Sequence, residues 1–168
     1  ILAWYPGEEG GNALADILFG KISPSGHLPI TFYNSLNDLP AYNNYAMKGR
    51  TYRYFNGKVQ YPFGFGLSYT KFDYSWIKKP VVENDSISFS IKITNTGKFD
   101  GDEVAQVYIE YPKIPEMPLK ELKEFKKIPL KKNEEKEIVF SIPIAELKKW
   151  DPGKNDWLLF KGEYKFFI

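Results

Sequence analysis

The residues of this chain best placed to do chemistry stand near its start, in WYPGEEGG, where Glu8 and Glu9 lie between glycines just after an apolar run. Two carboxylates share acid–base work when they flank a bond, one giving a proton while the other attacks or activates water, at a separation of about 5 to 9.5 Å. Neighbours in sequence meet that requirement poorly. Successive side chains of an extended stretch point to opposite sides, and both carboxylates sit on one short loop instead of two walls of a pocket. Their favoured role is electrostatic: carboxylates just ahead of a helix interact with its unpaired N–H groups and positive end, by about 0.3 to 1 kcal/mol each when exposed. Loops after the carboxyl ends of parallel strands are also where α/β sheets bind ligands. Glu8 and Glu9 are therefore candidates for a supporting position beside a substrate pocket.

A second constellation is RTYRYF, which offers Arg50, Tyr52, Arg53, Tyr54 and Phe55. Such side chains can stack on a sugar ring and hydrogen-bond its hydroxyls, and Arg50 and Tyr52 are the candidates for that contact. Alternating Arg and Tyr equally suits a strand between domains, with arginine stems covering apolar surface, and packing is the favoured role. The single histidine, His27, follows a Pro-Ser-Gly turn; alone it builds neither a His-rich metal site nor a triad, and it reads as a turn or core residue with a hydrogen-bond partner. With no cysteine there are no disulfides and no thiolate metal sites, and no metal or cofactor is expected. GFGLSY lacks the third glycine of a dinucleotide loop and leads into a β-rich segment. Asn84-Asp85-Ser86 is a glycosylation sequon, which matters only in a secreted eukaryotic protein.

The elements that must position these residues follow from composition and period. A chain of 168 residues, 43% hydrophobic and 26% charged, buries a real core. Its net charge is only +2, and the lysines of positions 120 to 136 alternate with Glu121, Glu124, Glu134 and Glu135. That reads as a solvated mixed-charge face; nucleic-acid binding calls for a one-signed basic stripe, which is missing. No apolar run approaches the roughly 20 residues of a membrane span. No signal peptide is visible, but residue 1 falls inside what reads as a strand, so targeting is not legible.

ILAWY, ended by Pro6-Gly7, suits a strand buried on both faces of a parallel sheet. A helix follows, with Asn12 as N-cap, Leu14, Ile17 and Leu18 on one face and Gly20 closing its end. After the turn SPSG, HLPITF reads as another short strand. Residues 33 to 69 lose periodicity yet are rich in aromatics, which marks an ordered wrapping segment, since disordered linkers are poor in them. Beyond Tyr69 the period becomes two, in SISFSIKIT and EIVFSIPI, with EVAQVYIEY and EYKFFI as further strands and turns at NTGKFDGD and LKKNEEKE. This pattern predicts an antiparallel β-sandwich, with a helical turn only at AELKKWD. The fold class is thus an α/β strand-helix-strand remnant at 1–32, a junction at 33–69, and an immunoglobulin-like all-β sandwich at 70–168.

Taken in order, these motifs resemble the C-terminal region of family 3 glycoside hydrolases, the β-glucosidase and β-xylosidase family. WYPGEEGGNALADILFGKISPSGHLPITF is similar to the closing unit of that family's α/β sandwich domain, YPFGFGLSYTKFDY to the junction, and EVAQVYI, KELKEFKKIPLKKNEEKEIVFSI, LKKWD and GEYKFFI to its fibronectin type III-like domain. The resemblance implies a retaining, exo-acting β-glycosidase. It also implies that the nucleophilic Asp comes from a barrel domain and the acid/base carboxylate from an upstream part of the sandwich domain. No catalytic residue is then expected here, the sandwich is expected to lack its last strand, and the partner is the rest of the parent enzyme. The family favours a secreted or periplasmic protein, and MKGRTYRYF leans toward the xylosidase-type members. A different class of function, a carbohydrate-binding or protein-interaction β-sandwich, would need exposed aromatics. Its candidates, Trp76, Trp150 and Trp157, lie in stretches that suit burial equally well.

Overall fold

The computed structural model describes residues 1–168. Helix α1 (Gly10–Leu18) forms where the apolar spacing asks for one. It closes at Gly20, whose φ of +73° is the left-handed conformation glycine adopts at little cost, with its N–H donating to the Ile17 carbonyl at 2.9 Å. The start differs from expectation. Glu9 occupies the capping position, and Asn12, already inside the helix, donates its side-chain amide to the Glu9 carboxylate.

Residues 1–5, expected as a doubly buried strand, form no strand within this chain, and Ile1 is 75% exposed. A strand's N–H and C=O groups need a neighbour to bond, and the chain supplies none beside them. HLPITF contributes only β1 (Phe32–Tyr33), which pairs with β2 (Val59–Tyr61). RTYRYF, read as an interdomain strand, instead makes the single helical turn α2 (Thr51–Tyr54). That turn is closed by Phe55 N–H donating to the Thr51 carbonyl (2.9 Å) and anchored by Thr51 N–H donating to Tyr33 Oη (2.6 Å).

From Phe72 the period of two takes over. β3 (Phe72–Glu83), β4 (Ser86–Asn95) and β7 (Glu135–Pro143) make one antiparallel sheet, ordered β3-β4-β7. β5 (Gly101–Glu110), β6 (Glu121–Leu130) and β10 (Lys165–Phe167) make the other, ordered β10-β5-β6. Between β7 and β10 lie a 3-10 turn at Ile144–Leu147, in the stretch expected to be helical, and the hairpin β8 (Lys149–Asp151) with β9 (Asp156–Leu158).

The core sits between the two sheets. Ile87, Phe89, Ile91 and Ile93 of β4 meet Ala105, Val107 and Ile109 of β5, with Ile128, Leu130, Phe140, Ile142 and Leu147 completing the cluster. Phe89 is its centre, stacked on Phe140 at 5.3 Å and met edge-on by Trp76 and Phe166. One polar side chain is sealed at its border. Asn95 is fully buried, yet its Oδ1 accepts from Thr70 Oγ1 (2.6 Å) and Gly97 N–H (3.1 Å) while its Nδ2 donates to the carbonyls of Phe99 (2.8 Å) and Leu130 (3.1 Å). With all its bonds made, it ties the first strand's entry to β6 without leaving an unpaired group.

Candidate functional site

The side chains that converge most closely lie where α2 meets the sandwich. In a helical turn Tyr52 and Arg53 leave the backbone about 100° apart, so one reaches an aromatic cluster and the other a charged one. Tyr52 stacks on Phe63 at 4.0 Å with ring planes 13° apart, and both present edges to Tyr108 at 6.1 and 6.3 Å. The Tyr52 hydroxyl accepts from Leu122 N–H (3.1 Å), and the Arg53 carbonyl accepts from Leu119 N–H (2.6 Å). Gly64 lets the wrapping segment come this close: its φ is +80°, its carbonyl accepts from Gln106 Nε2 (3.1 Å), and a Cβ there would lie 2.2 Å from Tyr108 Oη. Burial, with Tyr52 beside it, pushes the Tyr108 hydroxyl up to about 12.

Beside this stack Glu121 gathers four donors. Its Oε2 accepts from Tyr111 Oη (2.7 Å), Lys149 Nζ (2.5 Å) and Lys123 Nζ (3.0 Å), and the Arg53 guanidinium lies 3.5 Å from Oε1. Burial alone would raise this carboxyl, but the bonds from Lys149, Tyr111 and Lys123 outweigh it and hold it at about 2. Burial lowers the Lys149 ammonium despite its contact with Glu121, and the like charges of Lys123 and Arg53 on the same carboxylate add to that fall. Tyr111 moves up, through burial first and then its bond to Glu121. Arg53, Lys123 and Lys149 thus tie the junction, β6 and β8 to one anion.

Glu121 departs from the reading of positions 120 to 136 as a solvated face, being only 4% exposed, while Lys126, Lys127, Lys131 and Lys132 are exposed as expected. The cause is a bulge. β5 and β6 shift register between Val107 and Tyr108, which pair with Glu124 and Leu122 and leave Lys123 as an extra residue. One inserted residue reverses which parity points inward, so Glu121 is buried at the strand's start and Ile128 and Leu130 at its end. Alternation alone carries no sign of this. Leu119 and Leu122, which dock on α2, were equally invisible without it.

The candidates read from sequence scatter. Glu8 and Glu9 are exposed on the loop before α1, where Glu9 holds Asn12. Arg50 turns inward to three loop carbonyls, while Tyr52 enters the aromatic stack. The structure does not bring Glu8 or Glu9 into the joint. His27 lies with Nδ1 3.1 Å from the Ser25 carbonyl. Trp150 and Trp157, read as equally suited to burial, are 47% and 57% exposed and pack edge to face across the β8–β9 hairpin at 6.1 Å. Trp76 is also partly exposed, over Phe89.

Chemically the joint holds things together. A general acid needs a proton near working pH, whereas Glu121 is ionised and saturated with donors. No group of three or more His, Cys, Asp or Glu side chains converges to hold a metal ion, and no helix is long and apolar enough to cross a membrane.

Two domain patterns match the chain: the Glycosyl hydrolase family 3 C-terminal domain over residues 1–69 and the Fibronectin type III-like domain over residues 103–168. Among curated proteins, a xylan 1,4-beta-xylosidase of Xylanibacter ruminicola is 40% identical over 98% of this chain and 19% of its own length. A periplasmic beta-glucosidase of Salmonella typhimurium is 42% identical over 90% of this chain and 23% of its own length. Among solved structures, a beta-glucosidase from Kluyveromyces marxianus in complex with glucose superposes with a TM-score of 0.87 at 35% identity, covering 97% of this chain and 21% of that one. The chain therefore spans about a fifth to a quarter of the length of the relatives it matches.

Proposed function

This chain belongs to glycosyl hydrolase family 3, and from that premise we propose that it is the C-terminal scaffold of a retaining, exo-acting β-glycosidase that removes β-linked xylose or glucose units from non-reducing ends. In this reading the nucleophile and the acid/base carboxylate come from outside these 168 residues, and the partner is the rest of the enzyme. The division at 1–32, 33–69 and 70–168, as sandwich-domain end, junction and fibronectin-like domain, is part of the proposal. The observation that carries it is the use of the ionisable groups in the joint. The chain's one buried carboxylate, Glu121, is held ionised by three cations and a phenol, which is a structural use and leaves no proton to transfer.

The joint explains what such a scaffold does. Residues 1–69 end in an aromatic stack and an ion cluster that fix them to a sandwich with its own core, so the sandwich serves as ballast for the segment matching the family 3 C-terminal domain. Hydrolysis by the full-length enzyme is read on aryl β-xyloside and aryl β-glucoside. Activity on at least one is expected, with the β-xyloside favoured; inactivity on both ends the reading.

A further inference from the structure

The short link between α2 and β2 joins two contacts made to one residue. Phe55, just past α2, meets the Tyr33 ring edge-on at 4.9 Å, and Val59, the first residue of β2, pairs with Tyr33 across the β1–β2 ladder. Tyr33 Oη in turn accepts from Thr51 N–H (2.6 Å) at the start of α2. Residues 56–58 therefore close a small circuit of chain through Tyr33, and the length of that link sets how α2 is held.

Inside the link stands Asn56-Gly57, the one Asn-Gly pair of the chain. Asn56, Gly57 and Lys58 are all exposed, and no backbone carbonyl takes the Gly57 N–H. Packing demands the glycine: a Cβ at position 57 would lie 2.4 Å from Phe55 Cζ. The same lack of a Cβ leaves the Gly57 nitrogen open to the side chain one residue earlier. Asparagine is among the thermally labile residues, and it is most labile where the next backbone nitrogen is unhindered and free to move. Asp100-Gly101, the matching acidic pair, is held in place. Asp100 Oδ1 accepts from Lys132 N–H (2.8 Å), and Gly101 opens β5 opposite Leu130.

We propose that Asn56 is a site of spontaneous modification, where deamidation to aspartate and isoaspartate loosens α2 from its anchor on Tyr33. The inference stands apart from the glycosidase reading. The Gly57 N–H loses its proton to solvent base, and its nitrogen attacks the side-chain carbonyl carbon of Asn56. The bond from that carbon to the amide nitrogen breaks, ammonia leaves, and a succinimide remains. Water then opens the ring at one of its two carbonyls. Cleavage at the side-chain carbonyl leaves aspartate in an ordinary main chain. Cleavage at the main-chain carbonyl leaves isoaspartate, with the Cβ and Cγ of residue 56 in the main chain and a free α-carboxylate. Both products bring a negative charge at neutral pH, and isoaspartate also lengthens the link that Phe55 and Val59 keep taut against Tyr33.

The test uses the full-length enzyme and its Asn56→Ser variant, which has no amide to lose. Both are held at neutral pH and physiological temperature in heavy-oxygen water, then digested with trypsin, which cuts after Arg53 and Lys58 and releases residues 54–58 as one peptide. Label uptake counts the opened rings, and methylation by protein isoaspartyl methyltransferase counts the isoaspartate. Asn56 is expected to convert roughly tenfold faster than Asn43, which is exposed but followed by a residue with a side chain. Hydrogen exchange on the aged enzyme then shows a second, faster population at residues 51–54, equal in size to the isoaspartate fraction, while aged Asn56→Ser keeps a single slow one. Conversion at Asn56 no faster than at Asn43 overturns the site. Isoaspartate at position 56 with a single exchange population at 51–54, or the same fast population in Asn56→Ser, overturns the loosening.

Discussion

Residues 70–168 and residues 1–69 are stabilised by different physics. Every buried residue of the chain lies at position 70 or beyond, most of them in the cluster around Phe89, whereas not one of the first 69 is buried. The first region is ordered by point contacts instead. Ser23 and Ser68 meet at 2.8 Å, Tyr69 Oη donates to the Ile17 carbonyl (2.8 Å), and Arg50 pins its loop. Such bonds contribute only about 0.5 to 1.5 kcal/mol each, too little to order a segment without burial. Meanwhile Ile1, Leu2, Leu18, Phe19 and Ile22 face solvent. One half folds on its own core, while the other is tied to it through the joint at Glu121 and presents apolar surface outward.

The largest effect expected from breaking this contrast is at Phe89, whose replacement by alanine should cost about 3 to 5 kcal/mol. Urea unfolding followed by far-UV circular dichroism checks it, and a loss below 1 kcal/mol would mean the sandwich core is not where its stability lies. Next comes the joint. Glu121→Gln leaves Arg53, Lys123 and Lys149 facing one another without their anion, and stability should fall by on the order of 2 kcal/mol, allowing for solvent at the partly exposed cations. Hydrogen exchange should speed up at 51–54 and 119–123 together, on both sides of the contact.

The same residue sets a pH dependence. Its carboxyl is depressed in the folded chain, to about 2 from an ordinary value of 4.5, so the stabilisation is fully present above about 4.5 and is lost as pH falls toward 2. Melting temperatures of the native chain and Glu121→Gln should therefore converge across that window; parallel curves would remove Glu121 from the account.

How much of this was legible beforehand differs between the halves for the same physical reason. Ile87, Phe89, Ile91 and Ile93 announced a strand and its inner face, because a residue buried by its own chain must keep the period of the element that buries it. Helix α1 and the stop at Gly20 were readable likewise. ILAWY was not: its composition suits a strand, but pairing depends on a neighbour that its own residues do not encode. At RTYRYF, one helical turn offers too few residues to distinguish 3.6 from 2. The joint stayed hidden because a bulge moved Glu121 inward, and bulges leave no mark on an alternating charge pattern.

A smaller perturbation sharpens the joint itself. Tyr52→Phe keeps the stack on Phe63 and removes only the acceptor for Leu122 N–H, so about 1 kcal/mol should be lost, measured by the same urea titration. A loss as large as that of Glu121→Gln would show the hydroxyl, not the charge cluster, to be the main tie. The smallest effect is expected at Leu2→Ser, within about 0.5 kcal/mol for this chain by itself, since that side chain is half exposed and lies outside the core cluster. In the full-length enzyme the same change should lower Tm by several degrees; equal shifts in both would mean that no neighbour covers it.

The difference between the halves is tested most directly by hydrogen exchange on residues 1–168 alone, run with size-exclusion chromatography. Slow exchange is expected across β4, β5, β6 and β7, fast exchange across residues 1–30, and a chain that associates through its exposed apolar face. A clean monomer with strong protection across residues 1–30 would contradict the account, because the first region would then be stable without any neighbour.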